Sequence, residues 1–359
     1  MSNKTLYICH TYYHVYISIL KEFAKSKSEQ GNATVYLSTM STDFENLKER
    51  LLKSKCFREV YTYPEKDPSF FEDLSKYKKP EKSFIKALIN RIIYTKKLGK
   101  YEEQFVPENL KKYDEIYAFC DSDPIGYYLN YKHIYYHAVE DGLNTLRGCD
   151  TARCDNNPHF GIKTFLSKYL NLIFVQNGYG RYCIDMEVND TSVLEYPCKY
   201  YKEVSRDKLY ARLTKEEKEL LLNVFVKEQE KIRQILNNKT GKTLLILTEP
   251  LCKDLSMRVK LFNDLVTKYR KEGYTVILKQ HPRDLLDYST HFPNVMCIDR
   301  TVPMEMLNFY GKDIFDKVVS IFTELDNIYF AKEKERFGRD FMDAYEDKEI
   351  HKAQFESKR

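Results

Sequence analysis

The sequence predicts an α/β protein made of two Rossmann-like domains, and three observations carry that prediction. Short apolar runs alternate with helix-patterned segments from the amino terminus onward, the order that builds parallel sheets. Several runs empty abruptly into polar loops, as where Tyr274-Thr-Val-Ile-Leu278 ends in Lys279-Gln280-His281-Pro282. Pro282 has no N–H to donate and stops the strand there. Finally, the alternation restarts at Thr243 after a polar stretch, so the 359 residues divide into two domains of ordinary size.

Taken in order, Thr5–Cys9 is a strand, His10-Thr-Tyr-Tyr-His14 a loop, and Val15 to about Lys27 a helix. Residues 33–37 and 59–63 are further strands around a helix over 44–53. No G-x-G-x-x-G follows the first strand, so the dinucleotide fingerprint is absent. Residues 76–100 carry an apolar stripe of Phe84, Leu88 and Ile92 with Ile85, Ile89 and Ile93 beside it, flanked by Lys82, Lys86, Arg91, Lys96 and Lys97. This reads as a core-facing helix with a solvated basic face; a helix lying on an anionic membrane surface is the alternative. Residues 114–120 form a strand that empties into Asp121-Ser122-Asp123-Pro124. Pro124 and Gly126 make this a capped turn rather than a D-x-D metal pair. Residues 133–139 form a strand, 160–172 a helix and 182–188 a strand. Residues 199–212 are polar and irregular, and Thr214-Lys-Glu-Glu217 is a capping box opening one long helix to about Leu236. The second domain then runs strand 243–247, helix 256–271, strand 274–279, strand 295–298, a short helix from Pro303, and strand 317–322 followed by a helix from Thr323. The expected divisions are 1–200, a linker with its helix over 201–240, 241–335, and a charged helical tail over 336–359, the charged, helix-prone run itself beginning at Lys332.

The net charge of +5 is too small to argue for nucleic acid, and no nucleic-acid motif is present. Nine scattered cysteines fit reduced thiols better than a disulfide framework. Cys149 and Cys154 with His159 nearby lack the fourth ligand and the tight spacing of a zinc site. The amino terminus does not read as a signal peptide, and no apolar run approaches the roughly 18 residues of a membrane span. A cytoplasmic location is expected.

Polar groups gather at the ends of the strands. Glu140-Asp141-Gly142 ends the 133–139 strand; two adjacent carboxylates before a turn-permitting glycine are a candidate general base. In the second domain the strand ends carry Asp254, Lys279 with His281, Glu305, and Ser320 with Thr323. In open α/β sheets, ligands bind at the carboxyl ends of strands. Hydroxyls and free N–H groups at the expected helix start near Ser320 and Thr323 would hold an anion. His281 could protonate a phosphate held there, and Glu305 could grip ribose hydroxyls. That arrangement describes transfer of a group from a nucleotide phosphate to a hydroxyl.

These motifs resemble those of the bacterial sialyltransferases, most closely glycosyltransferase family 52, the lipooligosaccharide and capsule type. Glu140-Asp141-Gly142 matches the D/E-D/E-G motif, Lys279-Gln280-His281-Pro282 the HP motif, and Ser320 with Thr323 the serine/threonine motif. The resemblance implies a GT-B fold, two Rossmann-like domains facing a cleft. It implies inverting, metal-independent transfer of sialic acid from CMP-sialic acid to a bacterial surface glycan, with no cofactor. His281 would then be the acid on the departing phosphate. Lys279 and Pro282 would border the cytosine, Glu305 would hold the ribose, and Ser320 and Thr323 the phosphate. Glu140 is the base by analogy with related families. Asp254, after Glu249-Pro250-Leu251 where the family has Q-P-L, is the base by analogy with family 52 itself. Gly142 and the Thr11-Tyr12 loop fall on the substrate side. A homodimer and peripheral contact with the inner membrane fit the same resemblance; CMP-Kdo or another nucleotide sugar is the alternative donor.

Overall fold

The computed structural model describes residues 4–347 except 148, 149, 197, 238–240, 283 and 285. The chain divides between Arg212 and Leu213 into two compact units.

Unit 1 opens with β1 (Thr5–Cys9), α1 (Tyr12–Phe23), β2 (Thr34–Ser38), α2 (Leu47–Ser54) and β3 (Glu59–Tyr63). After two short 3₁₀ turns come α3 (Phe84–Glu102), β4 (Glu115–Phe119), α4 (Pro124–Tyr131) and β5 (Tyr136–Val139). Then follow α5 (Thr151–Asp155), α6 (Phe160–Lys168), β6 (Cys183–Val188), β7 (Tyr201–Glu203) and α7 (Arg206–Ala211). The strands form one sheet in the order β3-β2-β1-β4-β5-β6-β7, parallel throughout. Every residue of β1 is buried, as a central parallel strand covered on both faces requires. Leu6 pairs Thr34 on one side and Ile116 on the other. The core below is Leu6, Ile8, Tyr36, Ala118, Leu129 and Tyr136 with their neighbours.

Unit 2 comprises α8 (Lys215–Phe225), α9 (Gln229–Asn237), β8 (Lys242–Leu247), α10 (Leu255–Lys271), β9 (Tyr274–Lys279) and α11 (Tyr288–His291). It continues with β10 (Met296–Ile298), a 3₁₀ helix Met304–Phe309, β11 (Phe315–Ser320), β12 (Ala331–Arg336) and α12 (Arg339–Met342). Its sheet has the order β10-β9-β8-β11-β12, again parallel. Leu244, Ile246, Val276, Leu278 and Val319 pack against Leu261, Phe262, Leu265 and Tyr269 of α10.

The structure departs from the sequence expectations at five places. The first helix starts at Tyr12, not Val15, because the Thr11 hydroxyl accepts the His14 N–H and caps it. The long helix after Thr214 is two helices: its capping box is present, but Val226 is extended and buried and breaks the run. Residues 201–211 add a strand and a helix to unit 1 instead of forming a linker. The charged run Ala331–Arg336 is an edge strand, not a helix. Lys317 on β11 pairs Glu333 and Glu335 across it, and charged side chains are a common guard for an exposed edge. Lastly, no helix opens at Thr323; the chain after β11 is irregular until β12. Residues 348–359 of the expected tail lie outside the described residues, as does Cys149. No described helix is long and apolar enough to cross a membrane.

Gly126 is required by close approach. A Cβ there would lie 1.8 Å from the Asp121 carbonyl oxygen, whereas one on Gly161 in α6 would meet nothing within 4 Å. Gly126→Ala should cost about 2–3 kcal/mol by overpacking, and Gly161→Ala should be neutral or stabilising by up to about 1 kcal/mol. Urea unfolding of both variants checks this; equal effects would refute the packing argument.

Candidate active site

The order of sheet 1 reverses at β1 and β4, which sit side by side with later strands running outward in opposite directions. Such a switch point leaves a crevice at the strands' carboxyl ends. The loops there carry His10, Cys120 and Asp123, with Glu65 and Asp141 arriving from the neighbouring strand ends.

Glu65 binds the crevice together. Its carboxylate meets His10 Nε2 at 2.7 Å, accepts the Ser38 hydroxyl, and accepts the Ile125 N–H at 2.8 Å. Burial alone would lower the pKa of His10, but the charge and hydrogen bond of Glu65 outweigh it and raise it to about 9. The same pairing holds Glu65 below its usual range against the opposing effect of burial.

His14 lies one helical turn on, buried and stacked on Phe119 with ring centroids 4.4 Å apart. The His10 backbone N–H donates to its Nδ1 at 3.0 Å, so the proton of the neutral ring sits on Nε2. That N–H points at the Asp141 carboxylate, 2.8 Å from Oδ1. Burial lowers the pKa of His14, which keeps the ring neutral. The Cys120 thiol donates to the same Oδ1 at 2.9 Å. Asp141 is thus held by two side-chain donors while its side chain stays 45% exposed. It is an oriented carboxylate open to a ligand.

The neighbouring Glu140 is differently placed. It is 1% exposed; one oxygen accepts the Leu146 N–H and the Thr145 hydroxyl, the other the Asn189 N–H. Burial raises its pKa. Glu140 clamps the loop from which Asp141 projects. Gly142 follows because a Cβ would come within 2.9 Å of the Thr145 methyl. Thr11 is spent as a helix cap, and Tyr12 is buried against Phe44. Thr11 remains half-buried, and Tyr12 is closed off from the rim.

Candidate metal ligands among the described residues are His10, His14 and Cys120, whose donor atoms lie within 4.8 Å of one another. A metal on His14 Nε2 would require the proton to move to Nδ1, where the His10 N–H already points. The trio fits a metal poorly for that reason. Asp121 and Asp123 do not pair: Asp121 is buried and accepts Tyr136 OH and Asn177 N–H, while Asp123 lies 3.6 Å from His10.

In unit 2 the order reverses at β8 and β11. His281 follows β9, its N–H donating to Thr248 Oγ1 at 3.0 Å, and Pro282 is exposed. The turn beyond is fixed by Asp284, buried and accepting Arg258 Nη1 at 2.6 Å and Tyr288 OH at 2.7 Å. Lys279 is buried with Nζ on the Gln280 carbonyl. Its pKa falls to about 8 through burial, with Asp299 and Glu305 opposing. Glu305, at the start of the 3₁₀ helix, has its pKa raised to about 7 by burial, with Lys279 opposing. Lys279, His281 and Glu305 thus share one edge.

The expected anion site is built otherwise than the sequence predicts. Ser320 ends β11 and its hydroxyl donates to the Thr323 carbonyl. The N–H groups of Ile321, Phe322 and Thr323 all point at the buried Glu249 carboxylate at 2.9–3.1 Å. A side chain, not a helix dipole, shapes this loop. Asp254 caps α10, accepting the Ser256 N–H and hydroxyl, which lower its pKa.

The sequence model of glycosyltransferase family 52 matches residues 69–323. The chain belongs to that family. An uncharacterized protein of Haemophilus influenzae is 30% identical over 133 residues, 36% of this chain and 41% of its own length. The chain thus spans about two fifths of the curated relative it matches. Among solved structures, an α/β-galactoside α-2,3-sialyltransferase of Photobacterium phosphoreum superposes with a TM-score of 0.55 at 13% identity, over 93% of this chain and 91% of that one. A 2,6-sialyltransferase of Photobacterium sp. JT-ISH-224, solved with CMP and lactose, gives 0.58 at 9% identity over 99% and 76%. These likenesses establish the fold as GT-B.

The His10–Glu65 pair makes a signed stability prediction. A histidine whose pKa rises from 6.5 to about 9 on folding contributes fully below pH 6.5 and loses that contribution as pH rises through 9. Urea midpoints should fall across this interval. Glu65→Gln should remove that slope and cost about 3 kcal/mol at pH 6; an unchanged slope would show that another group produces it.

Proposed function

We propose that this protein transfers sialic acid from CMP-sialic acid to a sugar hydroxyl of a bacterial surface glycan, with inversion and without a metal. The observation that carries the reading is the oriented, half-exposed Asp141 carboxylate at the switch point of unit 1. It has the accessibility and the fixed direction a general base needs, which the buried Glu140 lacks. Family membership and the CMP and lactose bound by a neighbour of the same fold support the donor and acceptor classes.

In this reading the acceptor hydroxyl gives its proton to Asp141 as its oxygen bonds the anomeric carbon. The bond from that carbon to the phosphate oxygen breaks, and His281 supplies a proton to the departing CMP. Glu305 accepts hydrogen bonds from the ribose hydroxyls, and buried Lys279 beside Pro282 borders the cytosine. The loop of Ser320 and Thr323 borders the phosphate side, with its own N–H groups already taken by Glu249. Asp254, the alternative base, is held as a helix cap. Cytoplasmic action on a lipooligosaccharide or capsule precursor completes the proposal.

Transfer and donor hydrolysis should be followed with CMP-sialic acid, CMP-Kdo, UDP-sugars and GDP-sugars, with and without EDTA. Turnover with CMP-sialic acid that persists in EDTA is expected; turnover with a UDP- or GDP-sugar alone would overturn the donor, and loss in EDTA the metal independence. His281→Ala should lose about 10²–10⁴-fold in kcat while still binding CMP. Asp141→Asn should lose a similar factor and Asp254→Asn little; the reverse pattern would move the base to Asp254. Glu140→Gln should act through stability instead.

A pH dependence follows from Glu305. With a pKa near 7, its carboxylate is lost as pH falls below neutrality, so CMP affinity should weaken from pH 8 to pH 6. Glu305→Gln should flatten that profile; an unaltered profile would take Glu305 out of the nucleotide site.

A further inference from the structure

The amino-terminal half of α3 buries only part of its apolar surface. Tyr94 and Leu98 in its second half are buried against Leu74. In contrast, Phe84, Ile85 and Ile89 are 52%, 69% and 49% exposed. The adjoining α6 does the same with Ile162 and Phe165, and Leu170 just beyond it is also half-exposed. The two helices lie together. The Phe84 ring meets the His159 ring at 5.8 Å, and Leu88, Ile92, Phe160 and Leu166 pack on one cluster around Ile173 and Val175. About half of the large apolar side chains exposed among the described residues fall on these two segments. A contiguous apolar patch of this kind marks an interaction surface.

Charge selects the partner. Residues 82–101 hold six cations and no carboxylate, and residues 156–184 hold Lys163, Lys168 and Arg181 and again no carboxylate. Lys86 is well exposed, with Glu81 as its ion-pair partner. If a second copy docked through the same face, symmetry would bring like charges together around the apolar centre. A surface carrying anionic lipid headgroups has the opposite charge and accepts apolar side chains below the headgroup plane. We infer that the α3–α6 face is a docking surface for an anionic lipid bilayer, with Phe84, Ile85, Ile89 and Phe165 entering the acyl boundary and Lys82, Lys86 and Lys163 meeting the headgroups.

The side of α3 away from Ile85 and Ile89 lines a cavity. Ala87, Asn90, Arg91 and Tyr94 of α3 line a cavity of about 560 Å³ that also reaches Ser122 and Gln176. The surface itself rests on exposure and charge alone and stands whatever donor the enzyme uses.

Co-sedimentation of the full chain with vesicles tests the inference. Binding to phosphatidylglycerol–phosphatidylcholine vesicles, weak binding to pure phosphatidylcholine, and partial release by high salt are expected. Phe84→Ser/Ile85→Ser/Ile89→Ser should weaken partitioning about tenfold or more and keep the wild-type melting temperature. Lys82→Glu/Lys86→Glu, which leaves every apolar contact intact, should remove the preference for the anionic lipid. Absence of that preference, or partitioning that neither variant alters, overturns the inference. A triple variant that dissociates an oligomer while leaving vesicle binding intact would assign the face to a second copy instead.

Discussion

The amino-terminal unit depends on one buried carboxylate. Glu65 joins the ends of β2, β1 and the start of α4 through Ser38, His10 and Ile125. A charge taken out of water is costly unless it is paired and hydrogen-bonded. Here the pairing comes from His10, whose backbone N–H in turn fixes the tautomer of His14. The direction of the Asp141 carboxylate follows from that tautomer. A chain of four polar groups thus sets the geometry at the switch point: an apolar side chain at Glu65 would orphan the His10 ring, and one at His14 would remove a donor from Asp141, while the link between the two histidines is a backbone N–H.

The two strand-end clusters solve the same problem differently. In unit 1 the exposed carboxylate is oriented by neutral donors, a histidine N–H and a thiol. In unit 2 the loop after β9 is held by the buried Arg258–Asp284 pair, while buried Lys279 and half-buried Glu305 pull each other's titration back toward the ordinary values. The first arrangement keeps a carboxylate accessible. The second keeps two titrating groups near neutrality.

Much of the architecture was legible in the sequence, because strands buried on both faces are written as continuous apolar runs. Thr5–Cys9 and Tyr274–Lys279 fall where their apolar runs place them. Charged or polar segments were less legible. Ala331–Arg336 has helical composition, but β11 offers it a free edge and Lys317 offers it ion pairs. The break at Val226 follows from burial against its own unit, which no local propensity records. The stripe on α3 was visible, but periodicity does not say how far a covering element extends. Phe84 and Ile85 are apolar on schedule yet stay more than half exposed. The motifs located the strand ends, while His10, His14 and Glu65 were missed. The i, i+4 spacing of the two histidines at the start of a helix was the available signal; Glu65 had none, since its partners are distant in sequence.

The loop after β11 shows why a motif can keep its position and change its construction. A helix start would offer free N–H groups to a phosphate at no cost in neighbouring charge. Here the three N–H groups of residues 321–323 converge on Glu249 instead. A glutamate presents two acceptor oxygens and no donor, so one side chain satisfies all three. A glutamine, as in the family's Q-P-L segment, offers a single acceptor oxygen and would bring two N–H donors of its own into the same nest. In this chain the Glu249 carboxylate accompanies an irregular segment after Thr323. The carboxylate already completes the loop's hydrogen bonds, so nothing requires the chain to coil there.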